Sequence, residues 1–295
     1  MMNKTARSVA INGGAGRVGR LVAEDLVKDG MVVKIMDLPG VNYEGLEGQP
    51  GYEILPGDIG DNDYLRAAFA GCNAVVHLAA VLPPVADDNP DLAQRVNVGG
   101  TENVLAAMRA VTPDAHLVFG SSVVVYGNTQ EAEPPVGIET EVNGIGAYAR
   151  SKMESERLIR EAGLASTVLR ISGVSVADFL MPPDVWPFTA EQRMEFVLRE
   201  DVARAAAAAV RAPGTAGRVF NVAGGDTWRM TGREYSDAYF GAFELPAEEA
   251  KFIEGSTAFD FYHTTATKKE LGLATTPFSD FVAGVEEAIR KALEG

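Results

Sequence analysis

The feature that most constrains the fold lies near the start of the chain, where a short apolar run meets three evenly spaced glycines. Residues 8–12 read as a buried strand, and the apolar positions after residue 20 recur at helical spacing. Gly13, Gly16 and Gly19 stand between the two. Glycines at a strand-to-helix turn allow backbone to approach a pyrophosphate closely, and the helix N-terminus offers N–H donors to it. The pattern predicts a strand, an anion-binding loop and a helix.

Further strands and helices alternate along the chain. The apolar runs predict strands at 31–36, 52–55, 74–80, 116–119 and 218–222. Helical patterns are centred on 91–110, 231–240 and 280–293, the last with an apolar stripe at Phe281, Val285, Ile289 and Leu293. Such alternation is typical of an α/β protein with a Rossmann-type doubly wound parallel sheet, whose ligands bind at the carboxyl ends of the strands.

Asp37 follows the second predicted strand at the distance expected for an acid that binds a ribose. A carboxylate there accepts hydrogen bonds from a 2′-hydroxyl and repels a 2′-phosphate, so it favours NAD over NADP. Arg17, inside the glycine loop, opposes that preference, because a basic side chain there could accommodate a 2′-phosphate. The alternative is that Asp37 is a surface turn residue before Pro39 and Gly40.

Tyr148 and Lys152 lie four residues apart at the start of a predicted helix, which puts a phenol and an ammonium on one face. A nearby cation favours the ionised form of a phenol, so Tyr148 could act as a general acid or base with Lys152 as its partner. The alternative is a tyrosine packed on the sheet and a solvated lysine. Ser121 and Ser122 place hydroxyls after the fifth strand.

Composition excludes several classes of function. The net charge of -15, from 26 basic and 41 acidic side chains, argues against nucleic acid and anionic membranes as partners. One cysteine, Cys72, and no Cys/His cluster give neither an internal disulfide nor a metal site. His77, inside an apolar strand, is interpreted as structural. Without a signal-peptide pattern or an apolar span, the expected location is cytoplasmic.

Taken together, the motifs resemble those of extended short-chain dehydrogenases/reductases of the NAD-dependent epimerase/dehydratase family. The resemblance covers nearly the whole chain. It is carried by the following residues: Gly13, Gly16, Gly19, Asp37, Gly57-Asp58-Ile59, His77-Leu78-Ala79-Ala80, Asn97, Gly100-Thr101, Ser121-Ser122, Val125-Tyr126-Gly127, Tyr148, Lys152, Leu169-Arg170, Asp201-Val202-Ala203 and Phe220-Asn221-Val222.

The resemblance implies roles for individual residues. Ser122 would bind the reacting oxygen, Tyr148 would move the proton, and Lys152 would hold the cofactor ribose and lower the pKa of Tyr148. The residues expected to bind NAD are Gly13, Gly16, Arg17, Val18, Gly19, Asp37, Asp58, Ile59, Leu78, Ala79, Ala80, Asn97, Tyr148 and Lys152. It also implies a homodimer built on the helices that carry Asn97 and Tyr148. Residues 1–171, with 200–224 returning, would form the NAD domain, and 172–199 with 225–295 a small substrate lobe.

Some positions depart from the family pattern. Members that dehydrate sugar nucleotides have an acidic pair just after the catalytic hydroxyl, where this chain has Val123 and Val124, so dehydratase chemistry is not expected. The segment 172–199 is short and apolar. Basic side chains that could bind an anionic group, or lie on the surface, are Arg193, Arg199, Arg229 and Arg233; aromatic ones that could stack on a sugar, or pack the lobe, are Trp186, Phe188 and Trp228.

The expected function is therefore hydride transfer between NAD and a hydroxyl-bearing carbon of a sugar-like or other small hydroxy substrate. The compact pocket favours a dehydrogenase or reductase. An epimerase that keeps its NAD and returns the hydride to the opposite face is the alternative. A third possibility is an NAD-binding sensor without catalysis, against which Ser122, Tyr148 and Lys152 argue.

Overall fold

The computed structural model describes residues 7–255 and 257–294, so the expectations for residues 1–6 and for the last residue lie outside it. Its strands fall close to the predicted runs. They are β1 (Ser8–Asn12), β2 (Val32–Asp37), β3 (Tyr52–Pro56), β4 (Ala74–His77), β5 (His116–Ser122), β6 (Ser166–Ile171), β7 (Val174–Ser175), β8 (Arg193–Glu195), β9 (Val197–Leu198), β10 (Arg218–Val222) and β11 (Arg229–Thr231).

The α-helices connect these strands. They are α1 (Arg17–Lys28), α2 (Asn62–Phe69), α3 (Val85–Asp88), α4 (Pro90–Ala93), α5 (Gly100–Val111), α6 (Ala147–Ala162), α7 (Arg199–Arg211), α8 (Gly232–Ala242), α9 (Thr265–Glu270) and α10 (Phe278–Glu294). A π-helical segment, Gln94–Gly99, joins α4 to α5, so the predicted helix over 91–110 is one continuous element with a wide turn at Asn97.

Seven strands form one sheet in the order β10-β6-β5-β4-β1-β2-β3. The pairs β1–β2, β1–β4, β2–β3 and β4–β5 are all parallel. The predicted Rossmann-type α/β fold is confirmed. The strand order reverses at β1, and ligands of such sheets bind at that point, outside the carboxyl ends of the strands.

Two elements end differently from the prediction. β4 stops at His77 because the N–H groups of Leu78 and Ala79 both donate to the carbonyl of Asn12, at 2.9 and 3.0 Å, and turn the chain away from the next ladder position. In α10 the apolar stripe is buried at Phe281 and Val285, but Leu293 is 79% exposed. The stripe therefore packs from Phe281 to Ile289, and Leu293 near the end of the helix lies outside the packed part.

Contacts between Cα atoms divide the chain into two compact units. The first comprises residues 7–122, Ile145–Arg170 and Ala203–Phe220; the second comprises Val123–Gly144, Ile171–Val202 and the described residues from Asn221 onward. The first contains almost all of the large sheet. The second contains the two-stranded sheets β11-β8 and β7-β9 and an aromatic core. That the second unit binds substrate stays a prediction.

Across residues 7–255 and 257–294, none of the helices combines the length and the apolar content that a membrane crossing demands.

Candidate active site

The glycine loop has a geometry that side chains would block. Gly13 has a φ of +79°, and a Cβ on it would lie 2.9 Å from the backbone N of Ala79. A Cβ on Gly19 would lie 2.2 Å from the carbonyl oxygen of Gly13, so helix α1 can approach the loop this closely only with glycine there. The backbone N–H groups of Gly13 and Gly14 both donate to the carbonyl of Met36, which fixes the loop to β2.

Beyond the loop, the N-terminus of α1 is arranged to receive an anion. Its N-cap is Gly16, which has no side chain to cap the helix, and its first turn contains no acidic residue. Asn12, at the end of β1, is fully buried, and neither atom of its amide has a partner among the described residues. A helix N-terminus without a side-chain cap and an unpaired buried amide beside one cleft fit the pyrophosphate of a dinucleotide.

A cleft of about 630 Å³ opens beside this loop. Most of the residues predicted to bind a cofactor line it, together with Asn12: Gly13, Gly16, Arg17, Val18, Gly19, Asp37, Asp58, Ile59, Leu78, Ala79 and Ala80. Arg17 is exposed. The structure thus brings these predicted residues together, while the contacts that each makes with a cofactor stay predictions.

The Asp37 carboxylate lies at the end of β2 and organises the loop as well as the cleft. Its Oδ2 accepts a hydrogen bond from the N–H of Ala15 at 3.1 Å, and its Oδ1 accepts one from the N–H of Leu38 at 2.9 Å. Each carboxylate oxygen can accept a second hydrogen bond, so the group keeps capacity for a ribose hydroxyl. Asp37 lines the cleft and binds the glycine loop, which a residue of an ordinary surface turn would not do.

Asn97 occupies a position behind the cleft wall. Its Oδ1 accepts from the N–H of Val81 at 2.7 Å, and its Nδ2 donates to the carbonyl of Val81 and to Ser151 Oγ, both at 3.0 Å. The amide therefore holds the backbone of Val81, which lines the cleft. A direct contact between Asn97 and a cofactor stays a prediction.

Ser122, Tyr148 and Lys152 come together where β5 ends and α6 begins. The hydroxyls of Ser122 and Tyr148 are hydrogen-bonded to each other. Lys152 is buried, and its Nζ donates to the carbonyl of Gly120 at 2.7 Å. Tyr148 packs in the same small apolar cluster as Val81, which connects this group to the cleft.

The pKa of Tyr148 differs from the expectation. Burial raises it to about 12, against the lowering effect of the hydrogen bond with Ser122, and the charge of Asp87 adds to the rise. The Lys152 ammonium lies 5.8 Å from the ring centroid of Tyr148 and hydrogen-bonds to the carbonyl of Gly120, and the expectation that Lys152 lowers the pKa of Tyr148 stays a prediction. Burial also lowers the pKa of Lys152 itself, to about 8.

Sequence reasoning missed two residues beside this group, Asp87 and Glu156. Asp87 Oδ1 accepts a hydrogen bond from the backbone N–H of Tyr148 at 3.1 Å. Ser121 Oγ donates to Glu156 Oε1, and Glu156 lies one turn after Lys152 on α6. Glu156 follows Lys152 by four residues, as Lys152 follows Tyr148, so the sequence already indicated that all three share one face of the helix. No sequence signal indicates Asp87, which is 61 residues from its partner.

In the second unit, the arginines proposed for an anionic group are paired with acids. Arg193 contacts Asp260 at 2.8 Å, and Arg229 contacts the buried Glu195 at 2.9 Å. Arg199 contacts Asp178 and Glu200, and Arg233 lies over the ring of Phe252. These contacts neutralise or occupy side chains that an anionic ligand would need.

The aromatic residues of the second unit form its core. Trp186, Phe188 and Trp228 are buried, and the rings of Trp186 and Phe188 stack with centroids 5.3 Å apart. Trp228 Nε1 donates to the carbonyl of Thr276 at 2.7 Å. Of the two alternatives for these three residues, the structure shows packing.

His77 is buried, with Nε2 3.3 Å from Thr101 Oγ1, and burial lowers its pKa to about 3, with a smaller effect from Lys152 in the same direction. It is therefore a neutral core residue. Within the described part of the chain, no group of three or more His, Cys, Asp or Glu side chains is arranged to hold a metal ion.

The parallel sheet and the glycine loop at the end of β1 define a protein of the dinucleotide-binding α/β class, in which Ser122, Tyr148 and Lys152 lie together at the end of β5. A family model agrees. Residues 9–177 match the NAD dependent epimerase/dehydratase family, and the chain belongs to that family.

Two curated relatives with assigned activities are dehydrogenases. The chain is 31% identical over 182 residues to D-erythronate dehydrogenase of Cupriavidus necator, covering 57% of this chain and 56% of that one. It is 34% identical over 189 residues to L-arabinose 1-dehydrogenase (NAD(P)(+)) of Haloferax volcanii, covering 58% and 68%. The chain spans from 38% to 68% of the length of the first three curated relatives.

Solved structures share the fold over 97–98% of the chain. The UDP-glucose-4-epimerase from Stenotrophomonas maltophila, crystallised with NAD and formylated UDP-arabinopyranose, superposes with a TM-score of 0.82. It is 20% identical, and the match covers 98% of this chain and 99% of that one.

Proposed function

We propose that this protein is an NAD-dependent oxidoreductase that moves a hydride between NAD and a hydroxyl-bearing carbon of a small substrate. The observation that carries the proposal is the hydrogen bond between Ser122 and Tyr148, with Lys152 one helical turn further on. A pair of hydroxyls held together in this way can bind one substrate oxygen and exchange its proton.

The residues around the cleft fit NAD. In this proposal the loop from Gly13 to Gly19 holds the pyrophosphate, Asp37 the adenosine ribose, and Lys152 the second ribose. Asp58 and Ile59 flank the adenine, and Leu78, Ala79 and Ala80 line the path between. When bound, NAD supplies the hydride acceptor. The carboxylate of Asp37 disfavours a 2′-phosphate, so NADP is the less favoured cofactor, although Arg17 lies on the same cleft.

The chain's own part is to hold and move a proton. Ser122 donates a hydrogen bond to the substrate oxygen and keeps it within reach of Tyr148. In oxidation the O–H proton of the substrate would pass to ionised Tyr148, giving a neutral phenol, and the substrate carbon would become a carbonyl as bound NAD accepted its hydride. With a pKa raised to about 12, Tyr148 is a phenol at neutral pH, which suits proton donation in the reducing direction.

The substrate class proposed is a free sugar, a sugar acid or a similar small hydroxy compound. Two relatives at 31% and 34% identity are named for a sugar acid and for a free aldose. In the second unit, Arg193 and Arg229 are occupied by Asp260 and Glu195, which argues against their binding a nucleotide diphosphate. Both observations favour a dehydrogenase over a nucleotide-sugar epimerase.

The test begins with the amount of nicotinamide nucleotide released when washed, purified protein is denatured. We expect little bound nucleotide, reversible binding of added NAD, and NADH formation with members of a panel of aldoses and aldonic acids. About one NAD per chain would instead favour the epimerase, which keeps its cofactor through turnover. NAD binding without turnover of any hydroxy compound would favour a sensor, and absence of NAD binding would contradict the proposal.

A homodimer and a cytoplasmic location complete the proposal. The family resemblance assigns the dimer interface to α6 and to the helix that carries Asn97, and these two elements pack against each other within one chain. Light scattering on the purified protein measures the mass, which we expect to be twice the chain mass of 31.3 kDa.

A further inference from the structure

Each of the last three residues of β5 forms a hydrogen bond with a different turn of α6. The carbonyl of Gly120 accepts from Lys152 Nζ at 2.7 Å, Ser121 Oγ donates to Glu156 Oε1 at 2.5 Å, and Ser122 is hydrogen-bonded to Tyr148. Tyr148, Lys152 and Glu156 are spaced four residues apart and so share one face of the helix. Of these three helix residues, Glu156 is the one to which the proposed function assigns no role.

Glu156 is itself held from a second strand. Arg170, on β6, donates from Nη2 to Glu156 Oε2 at 2.7 Å and from Nε to Oε1 at 3.1 Å. Both side chains are buried, each 7% exposed. A buried carboxylate with two charge-assisted hydrogen bonds and a third from a hydroxyl is held in one orientation, and removing one partner of such a pair is costly.

Lys152 lies in a setting where the charge of Glu156 matters. The groups that face Lys152 are His77 from β4, the Phe119 ring and the Gly120 carbonyl from β5, and Tyr148 and Glu156 from its own helix. His77 is neutral at pH 7, because burial lowers its pKa to about 3. Burial favours the uncharged amine of Lys152, and the Glu156 carboxylate opposes that effect.

We propose that Glu156 is a positioning residue that fixes the end of β5 against α6 and keeps Lys152 in its ammonium form. It acts through Ser121, the neighbour of Ser122, and through its charge on Lys152, and it touches no reacting atom. The catalytic consequence rests on the proposed function, whereas the effect on Lys152 is a property of the chain alone.

The first test therefore needs no substrate. Glu156→Gln keeps the size of the side chain and removes its charge. The titration of Lys152 is followed by NMR of protein with ¹³Cε-labelled lysine, and its signal is assigned by its loss in Lys152→Met. We expect Lys152 to titrate at lower pH in Glu156→Gln than in the wild type. Glu154→Gln is the matched control, since Glu154 lies on the same helix, is 39% exposed and pairs with Arg157.

The second test is kinetic and uses the same variants. We expect kcat of Glu156→Gln to fall roughly 10- to 100-fold with little change in KM, and the alkaline limb of the pH profile to move to lower pH. Glu156→Asp keeps the negative charge on a shorter side chain. We therefore expect Lys152 to titrate at the wild-type pH in this variant, while kcat falls. If the single variant does not fold, the double variant E156Q/R170Q, which removes both buried charges, is measured in the same way.

The inference would be overturned if Glu156→Gln folded and matched Glu154→Gln both in the pH at which Lys152 titrates and in kcat. That result would describe a purely structural ion pair, even if the melting temperature of Glu156→Gln fell. A wild-type protein that turns over no hydroxy compound, while Lys152 still shifts in Glu156→Gln, would contradict the proposed function and leave the effect of Glu156 on Lys152 established.

Discussion

The carboxylate of Asp87 accepts a hydrogen bond from the backbone N–H of Tyr148 at 3.1 Å, so an acid on α3 caps the first turn of the helix that carries the proposed proton donor. The same charge lies close enough to the phenol to disfavour its ionised form. Asp87 therefore influences both the position and the pKa of Tyr148.

Replacing Asp87 with Asn should separate these two effects. The amide oxygen of Asp87→Asn can still accept from Tyr148, while the charge is lost, so the pKa of Tyr148 falls. Because oxidation needs ionised Tyr148, its rate profile should move to lower pH by a fraction of a pH unit, and added salt should reduce the difference from wild type, since Asp87 is exposed. Asp88→Asn, on the same helix and exposed, is the control. Superimposable profiles of the two variants would refute the effect.

Gly19→Ala should damage the cofactor cleft, because the new Cβ would lie 2.2 Å from the carbonyl oxygen of Gly13. We expect roughly a tenfold or greater loss of NAD affinity by calorimetry and a loss of about 1–3 kcal/mol in the free energy of unfolding. Gly241→Ala, also in a helix but with no atom within 4 Å of the added Cβ, should stabilise by about 0.5–1 kcal/mol and leave NAD binding intact. Unchanged NAD affinity in Gly19→Ala would show that the loop does not bind the cofactor.

The charge of Asp37 should set the preference between NAD and NADP. Asp37→Asn removes a carboxylate that lines the cleft, while its oxygen can still accept from Ala15 or Leu38. The ratio of NADP to NAD affinity should rise roughly tenfold, which corresponds to about 1.4 kcal/mol. Asp88→Asn should not change this ratio. A constant ratio in Asp37→Asn would mean that the ribose binds elsewhere.

His77 should make the fold sensitive to acid. Burial lowers its pKa from 6.5 to about 3, so the unfolded chain binds a proton between these values that the folded chain does not. Stability from this group is present above pH 6.5 and is lost as pH falls towards 3, by about 2.7 kcal/mol at pH 4.5. Urea titrations of His77→Gln should show a smaller loss between pH 7 and 4.5 than wild type. His263→Gln, which changes an exposed histidine, should behave as wild type, and equal losses in both variants would contradict the assignment.

The sequence predicted those parts of the structure that local patterns determine. β1, β10 and the glycine loop lie where apolar runs and glycine spacing put them, because a buried parallel strand and a tight strand-to-helix turn leave few alternatives. The family resemblance assigned Ser122 and Tyr148 to the same reacting oxygen, and in the structure the two hydroxyls are hydrogen-bonded to each other.

Other features depend on residues that only the folded chain brings together. The direction of the Tyr148 pKa is set by burial and by Asp87, 61 residues away, and neither is visible in the spacing of Tyr148 and Lys152. The end of β4 at His77 depends on a carbonyl of β1. In the sequence, Arg193 and Arg229 were candidates for binding an anionic ligand, because their ion-pair partners, Asp260 and Glu195 respectively, are distant along the chain.

The most direct test of the central proposal is the turnover of Tyr148→Phe at saturating NAD, measured as NADH formation with the best substrate from the panel. The variant lacks only the hydroxyl that Ser122 contacts, so we predict wild-type NAD affinity and a rate lower by ~10²-fold or more. Tyr52→Phe, on the edge strand β3, should retain wild-type turnover. Tyr148→Phe with the turnover of Tyr52→Phe would contradict a role for Tyr148 in moving the proton.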